Sequence, residues 1–172
     1  NICARCFGEF LTYKMINEFS MSTGDPGFNR RAPGVQYLKE LKQEGDKRGI
    51  AIQAGTGGIC PTSPKCIKKH GTAEEHLRLL IRVAKALGSK AARCYLGSMQ
   101  DRKGEGGIQR HVESTIQVCK NVRKAALDAG VKIAIENHAG DMHSRELANL
   151  IERAGPEYVG ATLDTGNATW TM

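Results

Sequence analysis

The spacing of apolar residues changes repeatedly along this chain. In Val131–Glu136 (VKIAIE), Val131, Ile133 and Ile135 alternate with Lys132, Ala134 and Glu136. A β-branched run of period two reads as a strand. Gly49–Ala54 (GIAIQA), Ala91–Leu96 (AARCYL) and Tyr158–Asp164 (YVGATLD) read the same way. Between these runs the spacing lengthens to three and four. Leu77, Leu80, Ile81, Ala84 and Leu87 form one helical stripe, and Val112, Ile116, Cys119, Val122 and Ala126 another. Their boundaries are signalled locally. Thr72 and Glu75 stand three apart, as a capping box requires, and Gly88 follows the first stripe. The second helix spans about His111 to Ala129 and stops at Gly130. A third starts near Ser144, carries Leu147, Leu150 and Ile151, and stops at Gly155-Pro156. An earlier one covers roughly Val35 to Lys47.

Helix and strand therefore alternate, which predicts a parallel sheet with right-handed crossovers. The 172 residues suit one domain with a substantial core. Residues 1–34 are less regular: FLTYKMINEFSM suggests a further strand, and STGDPGFNRRAPG reads as loop. Composition is that of an ordinary soluble protein, 40% hydrophobic and 25% charged. No apolar run has the length of a membrane span and no signal-peptide pattern opens the chain, so the expected setting is cytoplasmic, with no membrane partner. The net charge of +7 is spread over several helices, as solvated faces are, and does not favour nucleic acid as a partner. Of six cysteines, Cys94 and Cys119 fall on apolar patterns and read as core. Cys3 and Cys6 form a C-x-x-C, and Cys60 and Cys66 flank a proline-rich loop. The second pair is too widely spaced for an ordinary zinc knuckle, so free thiols without zinc are expected.

In parallel α/β folds, chemistry gathers at the carboxyl ends of the strands. The end of the first predicted strand is glycine-rich (QAGTGGICP), and the second leads into YLGSMQDRKGEGG, where Arg102 and Lys103 offer weak candidates for a phosphate. The third ends in Glu136, Asn137 and His138, and the fourth in Asp164 with Asn167 just beyond. Neighbouring strands lie about 5 Å apart, so Glu136 and Asp164 would face one crevice, about 3–6 Å from each other. Two carboxylates that close repel unless a cation or a shared proton lies between them. Hard oxygen donors suit Mg²⁺ or Mn²⁺. The plainer alternative is two unrelated strand-end acids, one capping a helix and one on a surface loop.

The stretch VKIAIENHAGDMHSRELANLIERAGPEYVGATLDTGNATW, with E-N-H at one strand end and L-D-x-G-N one unit later, resembles the sugar phosphate isomerase/epimerase family, the xylose-isomerase-like TIM barrels. The resemblance implies a (β/α)8 TIM barrel, present here as an incomplete barrel segment of about strands 2/3 to 6, with residues 1–172 forming a single partial barrel domain. It implies one divalent metal held by Glu, Asp, His and Glu from four successive strand ends. Glu136 resembles the first ligand and Asp164 the second; the others would lie after Met172. The metal would be Mn²⁺ or Mg²⁺, with Zn²⁺ or Co²⁺ as substitutes. His138, Asn137 and Asn167 fall where substrate is bound, and Glu136 doubles as a catalytic acid/base.

The implied reaction is isomerisation or epimerisation of a small sugar or sugar phosphate, by proton abstraction α to a carbonyl through an enediolate. Homo-oligomerisation is left open. A dehydratase or carbon-glycoside lyase on the same barrel site is the nearest alternative. A nuclease of the apurinic-site type needs a histidine-rich zinc cluster, and the chain has Asn167 where that family has histidine. A non-catalytic truncated barrel is the last alternative. In isolation the chain would be inactive and bind metal weakly, with Trp170 packed near the sixth strand and Val159 and Leu163 poorly covered.

Overall fold

The computed structural model describes residues 34–171; the side chains of Gly34, Val35, Trp170 and Thr171 are not among them. Cys3, Cys6, the strand expected in FLTYKMINEFSM and the packing of Trp170 thus lie outside the described residues. The order is α1 (Gly34–Lys47), β1 (Ala54–Gly58), α2 (Ala73–Ala86), β2 (Ala91–Tyr95), α3 (Gly107–Ala129), β3 (Lys132–Glu136), α4 (Ser144–Ala154) and β4 (Val159–Thr162). The four strands pair in parallel in the order β1-β2-β3-β4. This is the α/β alternation that the hydrophobic spacing predicts.

Period two decides the layers. Ala92 and Cys94 of β2, Ile133 and Ile135 of β3, and Val159 of β4 are buried in one core with the stripes of α2, α3 and α4. Adjacent helices pack side by side over that face. Cys119 lies in the same core, where burial pushes its thiol up to about 12, and Cys94 is likewise raised by burial. The opposite face carries Arg93 and Tyr95 of β2 and Glu136 of β3. Among the described residues, no helix is long and apolar enough to cross a membrane.

The first strand is displaced from its expected place. Ile50 is 50% exposed and Ile52 only partly covers the core; both lie in the connection ahead of β1. The strand is instead the glycine-rich AGTGG. Glycine is depleted in strands, so this segment reads as loop. It is a strand because other chain segments crowd it. A Cβ at Gly57 would lie 2.6 Å from Ile67 Cδ1, and one at Gly58 2.5 Å from the Lys65 carbonyl oxygen. The Lys65–Ile67 segment runs along the outer edge of β1, bridging Gly58 to Cys66, with Ile67 N–H donating to Gly58 O at 3.0 Å. That contact covers part of an edge that would otherwise offer unpaired backbone groups.

Helix ends fall near the signals. Thr72 caps α2: its hydroxyl accepts from Glu75 N at 3.2 Å, and the Glu75 carboxylate accepts from Thr72 N at 2.7 Å. Thr72→Ala should therefore lower stability by about 1 kcal/mol, measured as a lower urea midpoint at unchanged slope. Gly130 ends α3 with φ 64°, in the left-handed region that a side chain disfavours. That helix begins one turn earlier than expected, at Gly107. At β4, pairing stops at Thr162, short of the expected Asp164. Leu163 is 79% exposed, as expected, but Val159 is only 1% exposed. Val159 is covered because it pairs with Ile133 and lies under the helical layer, whereas Leu163 lies past the last paired residue.

Candidate metal and substrate site

β3 turns Ile133 and Ile135 toward the helices, so Glu136 points to the other face, in register with Tyr95 on β2 and Thr162 on β4. Its carboxylate is only 1% exposed. A buried carboxylate needs partners. Arg93 supplies one: its Nε donates to Glu136 Oε2 in an ion pair. Asn167 supplies the other, with Nδ2 donating to Oε1 at 3.3 Å. Asp164 is 7% exposed, and its Oδ1 accepts from Gly166 N at 2.9 Å and Asn167 N at 3.2 Å. Asn167 thus touches both acids and ties the two strand ends together.

Asn137 reinforces the tie. Its Nδ2 donates to Asp164 O at 2.8 Å, and its Oδ1 accepts from Asp164 N at 2.7 Å. The carboxamide is occupied at both ends by the backbone that carries Asp164. One hydrogen of Nδ2 and one lone pair of Oδ1 are used in this tie, which leaves a second of each for the substrate contact expected of Asn137.

His138 is held on two sides. Its Nδ1 lies 2.8 Å from Gly97 O, and its ring stacks on Tyr95 at 3.7 Å between centroids and 7° between planes. A carbonyl oxygen can only accept, so Nδ1 carries the proton; in the neutral ring Nε2 is then an acceptor. The loop beyond turns tightly, with Ala139 at φ 46° and Gly140 at φ 73°. Asp141 fastens it. Oδ1 accepts from His138 N at 3.0 Å and Met142 N at 2.6 Å, and Oδ2 accepts from Gly97 N at 3.1 Å. Asp141 is fully buried, and that burial pushes its carboxyl up to about 6, against the three N–H donors and the nearby His138, which pull it down.

Arg102, considered for a phosphate, is engaged elsewhere. Its two terminal nitrogens donate to the Glu146 carboxylate at 2.7 and 3.1 Å, and Nη1 also reaches Asp141 O at 2.9 Å. A bidentate pair of this kind locks the loop after β2 to α4. Arg93, Tyr95 and Asp141 escaped the sequence reading. The first two had a usable signal, because in AARCYL they share a face opposite Ala92 and Cys94. Asp141 had none beyond its place after Gly140.

The donor set fits a hard divalent cation in kind: two buried carboxylates from consecutive strand ends, held in place by Asn137 and Asn167. It is incomplete in number. Among the described residues, no three or more His, Cys, Asp or Glu side chains form a metal-holding group.

The family model described as xylose isomerase-like TIM barrel matches residues 17–172. Among solved structures, a D-tagatose 3-epimerase-like protein is similar at a TM-score of 0.60 and 17% identity, covering 80% of this chain and 54% of its own. D-psicose 3-epimerase from Clostridium cellulolyticum H10, solved with D-tagatose, gives a TM-score of 0.60 at 17% identity, with 92% of this chain and 59% of its own covered. A D-psicose 3-epimerase solved in the presence of D-fructose gives 0.59 at 15% identity, with 78% and 50% covered. At these identities the likeness is one of fold. The chain spans about half the length of these structures. No curated protein matches it.

Proposed function

This chain belongs to the xylose isomerase-like TIM barrel family, and from that premise we propose that the protein isomerises or epimerises a small sugar or sugar phosphate, with residues 1–172 as one partial barrel domain. The observation that carries the reading is the pair Glu136 and Asp164, buried at the ends of consecutive parallel strands and joined through Asn167. Neither acid is a stray surface group. We propose that both hold a divalent metal, Mn²⁺ or Mg²⁺ by their oxygen donors. When bound, that ion supplies a Lewis acid for a substrate carbonyl and its neighbouring hydroxyl.

The chain's own residues account for the proton abstraction. Glu136 takes the proton from the carbon α to the carbonyl at Oε1, the oxygen that Arg93 leaves open. The C–H electron pair moves into the carbonyl, and the substrate becomes an enediolate. A second acid on the opposite face, which these two strand ends do not include, returns a proton to the same carbon to give the epimer. Return of the proton by Glu136 to the former carbonyl carbon, with the hydroxyl proton passing to the former carbonyl oxygen, gives the isomer. His138 Nε2 accepts a hydrogen bond from a substrate hydroxyl, and the Tyr95–His138 stack presents a flat wall beside the sugar. Asn137 and Asn167 keep the two acids in place.

The test is solvent exchange. The natural full-length protein, supplied with Mn²⁺ in deuterated water, should place deuterium on the carbon beside the carbonyl of a ketohexose or a ketohexose phosphate, read by proton NMR. Mn²⁺-loaded protein that exchanges no proton across such a panel would defeat the reading.

A further inference from the structure

We propose that Arg93 sets the ion selectivity of this site by holding one of the two Glu136 oxygens; the inference rests on the reading of Glu136 as a metal ligand. Arg93 occupies the middle of β2, aligned with Ala134 on β3, two residues before Tyr95. It shares the inward face with Glu136 because Cys94 and Ile135 take the core face. On its other side, β1 presents Gly55, opposite Arg93 in register. A Cβ at Gly55 would lie 3.4 Å from both Arg93 Cβ and Cδ, so the arginine stem packs directly along β1 at this position. The guanidinium then turns toward β3, and Nε meets Glu136 Oε2.

A carboxylate can bind a cation through one oxygen or both. With Oε2 committed to Arg93, Glu136 offers only Oε1, where Asn167 makes a long contact at 3.3 Å. Asn167 takes one of the two lone-pair directions of Oε1 and leaves one for a cation; a cation and a proton share Oε1 only once that long contact gives way. One-oxygen ligation suits small octahedral ions such as Mg²⁺ and Mn²⁺. Ca²⁺ takes six to eight oxygens at longer distances and readily uses both oxygens of a carboxylate. Arg93 therefore disfavours Ca²⁺ by geometry. Its positive charge also offsets one of the two acids when no ion is present, so the empty site does not hold two uncompensated buried charges.

The experiment measures binding rather than turnover. Mn²⁺ and Ca²⁺ affinities are taken by equilibrium dialysis on the natural full-length protein, on Arg93→Met and on Arg93→Lys. Arg93→Met should raise the affinity for Ca²⁺ relative to Mn²⁺ by about tenfold or more, because Oε2 becomes free. Arg93→Lys, whose ammonium still donates to Oε2, should stay within about threefold of wild type. If the Met variant folds only with a cation, the Ca²⁺ and Mn²⁺ concentrations that restore its near-ultraviolet dichroism give the same ratio. An unchanged ratio in the Met variant, or an equal shift in the Lys variant, overturns the proposal. Glu136→Gln serves as the separate control. If it leaves Mn²⁺ affinity intact, Glu136 is no ligand and the functional reading itself fails.

Discussion

Glu136→Gln should reduce kcat of the natural protein by about a thousandfold or more on its sugar substrate. The substitution keeps the shape of the side chain and removes both its charge and its basicity. An amide cannot take a proton from carbon at neutral pH, and it is a poor partner for a hard cation. The hydrogen-bond pattern worsens the loss. Arg93 Nε donates to one oxygen and Asn167 Nδ2 to the other. Whichever way the glutamine amide is turned, its NH₂ meets one of these donors. Arg93 is then left without its carboxylate in a half-buried position, which costs about 1–3 kcal/mol of stability. Turnover, Mn²⁺ binding and the urea midpoint should therefore fall together. A variant that retains a tenth of wild-type kcat would remove Glu136 from the chemistry.

The second large effect is expected at Asp141, and it is one of pH. Its carboxyl is raised from an ordinary 3.8 to about 6 in the folded protein, chiefly by burial. A raised folded-state value means that the folded protein holds the proton more tightly than the unfolded chain does. The stabilisation is full below the unfolded value and is lost as pH rises through the folded one. The window is pH 4 to 6 or a little above, and the loss is about 3 kcal/mol at most. Asp141→Asn has no such titration. It also turns an NH₂ toward Gly97 N or toward the His138 and Met142 amides, and so loosens the loop that holds His138. Urea unfolding at pH 4.5 and 7 should show wild type losing stability relative to the variant as pH rises. The opposite slope would mean that the three N–H donors outweigh burial.

Much of this architecture is written in local spacing. Val131, Ile133 and Ile135 alone require that Glu136 face away from the helices, because successive strand residues point to opposite sides. Thr72 with Glu75, and Gly130, mark helix ends through groups only a few residues apart. That is why α2, α3, α4 and the middle strands appear close to their expected places. Glu136 was likewise legible at its strand end, where alternation suffices to place it, whereas Asp164 lies two residues past the last paired residue of β4 and its backbone is held by the Asn137 amide. Tertiary contacts decided the rest. AGTGG is a strand only because Ile67, Lys65 and the β2 side chains press against it, and glycine propensity carries no trace of those neighbours. Arg93 looks like one charge in an apolar run until β3 brings Glu136 within reach. The tie between Asn137 and the Asp164 backbone is invisible until β4 delivers that backbone to both ends of the side-chain amide. Arg102 resembles a phosphate ligand until α4 presents Glu146. In each case the partner lies on another strand or helix, and a polar side chain acquires its duty from whichever group the fold brings to hydrogen-bonding distance.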